Sequence, residues 1–461
     1  MDPRKIRTGV IGAGIISTIY LKNMMQLFDN LDVRKISSRG MESARKQAEA
    51  FGITACTTEE ILTDPEIEMV VILTPAWNHY DLIRQALEQG KHVYTEKTIA
   101  DSPEKAAELL ALADEKGLYL ASAPDTFLGS SLQAARAAID DGILGDIHSF
   151  AISTTRCNDL LESVLSFLRQ PGGGFVYDYG VYYVTALVSL LGPVQRAGGF
   201  VKAPYLSRKN IVPGSPGYGE VMNTPNDSIA AAVLELENGI FGTLHMNAES
   251  LLRDEAYFTI YGTRGILTLS CPNDFSGKVC FEPVPRAFGV PAKPVTLWEF
   301  TPFSENSRGI GPSDLASAII DDRPPRASKE MAAHVLEVLT AILEQKGIVE
   351  IHSTCTRPEP LPQKPLGALS VTPFAISIRN TLNMRNFYTK GMGLGPKDAP
   401  LVQLIEQPSA IKSSQTRTVR IKVKDMAQAY AAAQWNGLRP QGDASSFYLT
   451  DPDGNRVELY V

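Results

Sequence analysis

The sequence predicts an α/β protein built from three units, and three features carry the prediction. Short apolar runs alternate with helical patterns over residues 1–124, and longer β-rich segments dominate residues 125–350. A proline-rich stretch, 351–373, then precedes a strand–helix–strand pattern over 374–461. Alternation of the first kind means βαβ units and a parallel sheet, whereas runs of strands favour an antiparallel one. A chain of 461 residues is also too long for one ordinary core.

The first strand, Ile6 to Ile11, runs into Gly9-Val10-Ile11-Gly12-Ala13-Gly14-Ile15-Ile16-Ser17, after which Ile16, Ile19, Tyr20, Asn23 and Met24 follow at helical spacing. Gly12 permits a tight turn and Gly14 lets backbone approach a phosphate, while the helix start at Ile15 and Ile16 offers unpaired N–H groups. Ser17 stands where a third glycine is usual. Strand, glycine turn and helix in this order predict a Rossmann dinucleotide-binding domain.

Val33 to Ser37, Met69 to Leu73, His92 to Thr95 and Leu118 to Ala121 supply its further strands. One helix has Ser102 as N-cap, Pro103 in its first turn and Gly117 at its stop; another runs from His79 to Gln89 and ends at Gly90. The second strand ends Ser37-Ser38-Arg39, with no acid to hold a ribose 2′-hydroxyl. Ser38 and Arg39 suit a 2′-phosphate better, which favours NADP over NAD; the other reading is that Arg39 only stacks on the adenine.

After Asp125 a helix from Ser131 to Asp141 precedes the segments His148 to Arg156, Ile229 to Leu236, Gly239 to Asn247, Ala256 to Gly262 and Gly265 to Ser270. They predict an α+β unit with a large, mostly antiparallel sheet, with hairpin turns at Asn238-Gly239 and Thr263-Arg264-Gly265. The helix Lys329 to Gln345 places Met331, Val335, Leu336 and Leu339 along one face and closes the unit.

Two constellations carry chemistry. Glu96-Lys97-Thr98 ends a parallel strand, where such a sheet delivers residues to a ligand. On residue type alone it is a solvated pair; its position reverses that preference. Gly172-Gly173-Gly174 leads to Phe175-Val176-Tyr177-Asp178-Tyr179-Gly180-Val181-Tyr182, where a helix puts Asp178 and Tyr182 on one face. The alternative is a glycine-rich loop and a helix with aromatic core residues. Alcohol oxidation needs a base for the hydroxyl proton, and a phenol of pKa about 10 is too weak unless an ammonium such as Lys97 stabilises its phenolate.

With these residues in place, the chain resembles the glucose–fructose oxidoreductase, inositol dehydrogenase and rhizopine-catabolism (Gfo/Idh/MocA) family over about residues 5 to 350. The matching pieces are Gly12-Ala13-Gly14, Thr74-Pro75 with His79, Gly90-Lys91-His92-Val93 leading to Glu96-Lys97, the Gly142-Ile143-Leu144-Gly145 turn, and Gly172-Gly173-Gly174 leading to Asp178 and Gly180. The resemblance implies that Lys97 is catalytic and Asp178 a substrate-site residue. It also implies that Thr74, Pro75, His79 and Glu96 line the cofactor, and that the open sheet supports a homo-oligomer. Asp125, Thr126 and Tyr183 are read as ribose or substrate contacts. Two departures stand out: Thr98 replaces the proline usual after Glu-Lys, and Tyr182 replaces the histidine frequent there. The tyrosine resembles the glucose–fructose oxidoreductase and dihydrodiol dehydrogenase branches.

Residues 374–461 end in Asp451-Pro452-Asp453-Gly454, a hairpin signal, and resemble the glyoxalase and bleomycin-resistance superfamily. That resemblance puts Pro373, Thr418, Gln403 and Glu458 at the metal-ligand positions. No histidine follows His352, so the expectation is no metal and a non-catalytic accessory domain of βαβββ type.

A net charge of −7 argues against nucleic acid or an anionic membrane as partner. Five scattered cysteines without C-x-x-C spacing, and an N-terminus Met1-Asp2-Pro3-Arg4-Lys5 with no apolar leader, point to the cytoplasm. The leading expectation is an NADP- or NAD-dependent oxidoreductase that interconverts a secondary alcohol and a carbonyl on a sugar, glycoside or cyclic polyol. Two alternatives stay open: a lyase or glycosidase that uses bound NAD(P) for transient oxidation, and a non-catalytic NAD(P)-binding sensor or assembly subunit.

Overall fold

The computed structural model describes residues 4–170, 172–250, 255–284, 293–297, 299, 301–364, 366–371, 374–378, 381–394, 402–406 and 418–461. Residues 1–3, Pro365, Pro373 and the side chain of Gln403, all drawn on above, lie outside the described residues.

Among the described residues six parallel strands form the first sheet, in the order Thr54–Ala55, Leu31–Ser37, Ile6–Ile11, Met69–Ile72, His92–Thr95, Leu120–Ser122. The order reverses between Ile6–Ile11 and Met69–Ile72, so a crevice opens at their carboxyl ends, where doubly wound sheets take ligands. Gly12 closes the first strand at φ +115°, and a Cβ there would lie 2.7 Å from the backbone carbon of Leu73. Only glycine fits this turn. The helix Pro103–Lys116 is capped as its sequence predicts: the Ser102 hydroxyl accepts from the Lys105 amide, and Gly117 turns left-handed at φ +63°.

The second sheet has nine strands among the described residues, ordered Val295–Thr296, Val279–Pro283, Gly265–Leu269, Glu255–Gly262, Ile147–Thr155, Phe241–Asn247, Ile229–Leu236, Val194–Lys202, Val349–Glu350. It is antiparallel except between Ile147–Thr155 and Phe241–Asn247, a parallel pair not anticipated by the hairpin reading. The inward residues of the central strands pack on the helices Phe175–Leu191 and Lys329–Glu344, and the other face is open, with Phe200, Val233, Phe241 and Tyr257 exposed.

The chain then returns to the first sheet. Ser122 N–H donates to the Ala327 carbonyl (3.0 Å), extending the edge strand, and Gly311 of the helix Ile310–Asp321 presses on the Tyr94 ring, where a Cβ would come within 2.5 Å. Asn23 and Asn30 donate to backbone carbonyls of Asn306, Arg308 and Ser313. The parallel sheet is therefore completed by residues from the far end of the second unit.

Beyond it the proline-rich segment is strapped down. Proline carries no amide donor, so its neighbourhood offers carbonyls in excess. Arg136 donates to the Pro358 carbonyl, Arg326 to those of Glu359 and Pro360, and the Trp435 indole to that of Pro362.

In the C-terminal unit a sheet of five strands among the described residues runs Ala368–Val371, Thr418–Val423, Arg456–Tyr460, Ser446–Thr450, Gln441–Asp443. The helix Met426–Trp435 covers one face through Ala429, Ala432 and Ala433, against Val419, Ile421, Phe447, Leu449 and Val457. The Asp451 carboxylate is buried and accepts from the Asn455 amide (2.8 Å) and the Tyr388 hydroxyl (3.0 Å), which fixes the last hairpin turn. Phe374–Ile378 and Val402–Glu406 pair separately, in parallel. Trp435 meets Phe303 edge-on at 5.6 Å, joining this unit to the second.

Candidate active site

The nucleotide end of the crevice is built from backbone. Gly14 starts the helix Ile15–Gln26 with no side-chain cap, so the first amides of the helix are free for an anion. A Cβ on Gly14 would meet nothing within 4 Å, which leaves open space over those amides. Ser17, in the third-glycine position, is buried and donates its hydroxyl to the Gly14 carbonyl (2.6 Å), bracing the turn. Ile15 is 89% exposed at the mouth, and Ile16 is half-buried behind it. Across the crevice the Thr74 hydroxyl is buried without a hydrogen-bond partner, a vacancy that a phosphate or ribose oxygen fits. Pro75 follows in extended conformation. Ser38 donates to the Gly40 carbonyl, and Arg39 is exposed beyond the end of the second strand. These residues fit a nicotinamide dinucleotide.

His79 departs from its expected role. It is fully buried, with Nδ1 2.6 Å from the Thr98 carbonyl oxygen and Nε2 2.8 Å from that of Thr74. Burial holds its pKa below the ordinary histidine range although both ring nitrogens face carbonyls. It ties the Thr74-Pro75 loop to the Lys97-Thr98 loop and leaves no face for a cofactor.

Glu96, Lys97 and Thr98 leave the strand His92–Thr95 at the same carboxyl edge. Glu96 accepts from the Tyr20 hydroxyl (2.7 Å) and from the Lys97 amide (3.1 Å). The Lys97–Thr98 peptide is cis, and Thr98 donates its hydroxyl to the Ala100 carbonyl (2.8 Å). The Lys97 ammonium donates to the Asp178 carboxylate and to the Asp178 carbonyl (3.0 Å), and it stands 5.4 Å from the centre of the Tyr182 ring. Asp178 and Tyr182 share a face of Phe175–Leu191, as their spacing predicts. The helix begins abruptly because Gly174, at φ +88°, packs against Asn226, where a Cβ would sit 2.8 Å from the Asn226 Cβ.

Burial and charge act against each other at this site. Burial opposes the Lys97 charge, but Asp178, Tyr182 and Glu96 outweigh it and hold its pKa above the ordinary lysine range. Burial pushes the Tyr182 phenol up, and the cations Lys97 and Arg308 offset only part of that. Lys97 draws the Tyr182 phenol down as the sequence reading expects, but burial outweighs it. The site sets a phenol beside an ammonium, the pair of groups that proton exchange with a substrate oxygen calls for.

Three expected contacts fall elsewhere. Asp125 is 1% exposed, and its Oδ2 accepts from the Gly309 and Gly311 amides at 3.1 Å each. Burial raises its pKa to about 6. Thr126 is buried, and its carbonyl accepts from the Gly129 amide. Tyr183 is fully buried on the core side of its helix, with its hydroxyl 3.9 Å from the Cys271 sulfur. All three are buried against the protein's own groups.

The sequence reading missed Arg308, whose guanidinium reaches the Tyr182 hydroxyl (3.5 Å), and its anchor Asn273 (2.7 Å). It also missed the grip of Tyr20 on Glu96. The one hint of Arg308 was its place before Gly309-Ile310-Gly311 at a helix start.

Of the metal positions weighed in the C-terminal unit, Thr418 is exposed, and Glu458 lies between Arg420 (3.2 Å) and Arg456 (3.1 Å). Among the described residues no group of three histidine, cysteine or acidic side chains could hold a metal, and no helix is long and apolar enough to cross a membrane.

With this geometry in view, comparison with known proteins is informative. Residues 6–123 match the oxidoreductase family described as having an NAD-binding Rossmann fold, and residues 132–268 match the GFO/IDH/MocA C-terminal domain. The chain is 25% identical over 187 residues to the NADP(+)-dependent scyllo-inositol 2-dehydrogenase of Bacillus subtilis, covering 41% of this chain and 52% of that enzyme. It is 27% identical over 270 residues to dTDP-3,4-didehydro-2,6-dideoxy-alpha-D-glucose 3-reductase of Streptomyces antibioticus, covering 58% and 76% respectively. The chain thus spans about half the length of the first relative and three quarters of the second. Among solved structures, levoglucosan dehydrogenase in complex with NADH and L-sorbose aligns with a TM-score of 0.67 at 20% identity, over 76% of this chain and 99% of that one, a likeness of fold.

Proposed function

This chain belongs to the GFO/IDH/MocA oxidoreductase family, whose two domains together match more than half of it, and on that premise we propose an NAD(P)-dependent oxidoreductase acting on CH–OH groups. The substrate is a sugar, glycoside or cyclic polyol, interconverted between secondary alcohol and carbonyl. One observation carries the reading: the Lys97 ammonium is held by Asp178 against the face of Tyr182, at the carboxyl edge of the nucleotide-binding sheet.

The cofactor supplies or accepts hydride at the carbon. Gly12, Gly14, Ile15, Ile16, Thr74 and Pro75 would hold it, and Ser38 with the exposed Arg39 favours the 2′-phosphate of NADP. Tyr182 exchanges the proton with the reacting oxygen, Lys97 stabilises negative charge on that oxygen, and Asp178 orients both lysine and substrate.

The C-terminal unit is read as a glyoxalase-like accessory domain without a metal. The reading is supported by its order Thr418–Val423, helix Met426–Trp435, Gln441–Asp443, Ser446–Thr450, Arg456–Tyr460, with the first strand parallel to the last. The exposed apolar residues on the open face of the nine-stranded sheet support a homo-oligomer. The scattered cysteines support a cytoplasmic setting.

The test is Lys97→Ala. Sugars and cyclic polyols are first screened with NADP⁺ and NAD⁺ for a change in nicotinamide absorbance. On any active substrate the variant is expected to lose roughly 10²–10⁴-fold in kcat while still binding the nucleotide. A variant as fast as the parent would refute the assignment.

A further inference from the structure

Arg308 is a cation at the reactive hydroxyl with no carboxylate of its own. Its Nη1 donates to the Asn306 side-chain oxygen (2.9 Å), and its Nη2 to that of Asn273 (2.7 Å) and to the Tyr182 hydroxyl (3.5 Å). The Phe275 ring centre lies 5.8 Å from its guanidinium carbon. Among the described residues no ion pair reaches it; the neighbouring Asp125 spends its Oδ2 on the Gly309 and Gly311 amides.

Four charged groups face Tyr182: Lys97 and Glu96 from the loop after His92–Thr95, Asp178 from its own helix, and Arg308 from the segment before Ile310–Asp321. Lys97 is paired with Asp178, so part of its field is cancelled before it reaches the phenol. Amide oxygens anchor Arg308 without neutralising it. Glu96 and Asp125 act on Arg308 without pairing with it directly, and in a buried site such a charge acts strongly on the nearest polarisable group, here the Tyr182 oxygen.

We propose that Arg308 is a positioning residue for the proton transfer: it orients the Tyr182 hydroxyl and stabilises the phenolate left when that proton moves to the reacting oxygen. The proposal rests on Tyr182 being the proton-transfer group. In reduction, for which bound reduced nicotinamide would supply the hydride to the carbonyl carbon, the carbonyl oxygen takes the Tyr182 proton and the O–H electron pair stays on the phenolate beside Arg308. Oxidation reverses each transfer.

The experiment titrates Tyr182 directly. A fluorinated tyrosine, more acidic than tyrosine, is incorporated at position 182, and its ionisation is followed by fluorine NMR in the full-length protein with no substrate present. Arg308→Gln is expected to raise the midpoint by about one pH unit or more, a tenfold loss of phenolate stabilisation, and Arg308→Lys to recover much of it. An unchanged midpoint in folded Arg308→Gln protein overturns the proposal. Should that variant fail to fold, Asn273→Ala loosens one anchor and keeps the charge; a raised midpoint supports the proposal and an unchanged one overturns it. Failure of the underlying reading is distinguishable: a Tyr182→Phe protein that still oxidises alcohol removes Tyr182 from the chemistry whatever the titration shows.

Discussion

At the scale of single residues, the acidic cluster around Arg208 shows how burial sets a charge. Glu162 is 2% exposed; Asn158 donates to its Oε1 (2.7 Å), and Arg208 lies 3.4 Å from its Oε2. Burial pushes its pKa up to about 7; Arg208 and Arg169 pull it down, while Glu249 and Asp159 push it further up. A carboxyl raised in the folded state binds its proton more tightly there than in the unfolded chain. Its contribution to stability is thus complete below the ordinary carboxyl range and is lost as pH rises to about 7. Glu162→Gln removes that titration: the variant gains melting temperature relative to its parent at pH 8 compared with pH 5, as thermal melts at the two pH values would show. An equal difference at both would refute the account. The same scale shows what a sequence displays. Lys97, Asp178 and Tyr182 were legible because a strand end and a helical spacing of four place them together before any tertiary contact is known. Arg308 was not, because 126 residues separate it from Tyr182 and no periodicity links them.

At the scale of elements, the helix Ile310–Asp321 explains the misreading of Asp125. A carboxylate just after the last parallel strand looks like a ligand contact, and the partner that claims it comes 184 residues later in the chain. Asp125 satisfies two amides at the start of that helix and so fixes the segment that presents Arg308. Asp125→Ala leaves both donors without their acceptor and is expected to cost about 1–3 kcal/mol in denaturant unfolding. Asp125→Asn keeps an acceptor and should lose much less. A rise in KM alone, with full stability in both variants, would restore the substrate-contact reading. The parallel strands and capped helices were legible for the opposite reason, since their signals are local: Ser102, Pro103 and Gly117 bracket a helix without help from distant chain. The parallel pair Ile147–Thr155 and Phe241–Asn247 was hidden because its register depends on what lies between the strands.

For the whole molecule, the open sheet face is the feature with consequences for assembly. Phe200 is 79% exposed and Phe241 63%, the latter on a strand whose alternate residues are buried. Sheets bury such a face when they can. The protein is expected to self-associate, and a Phe200→Glu/Phe241→Glu double variant to run as a monomer in light scattering after size exclusion, with its melting curve still cooperative. A monomeric parent would show that the face is simply tolerated.

The return of the chain to its first sheet also bears on how the protein is made. The edge strand Leu120–Ser122 is completed only when Ser122 meets Ala327, roughly 200 residues later, which at about 5–20 residues per second is on the order of 10–40 s of synthesis. During that interval the nascent nucleotide-binding half presents an unpaired strand edge and an uncovered Tyr94 to solvent. Arg308, which reaches the Tyr182 hydroxyl, joins the site only after most of the polypeptide has been made.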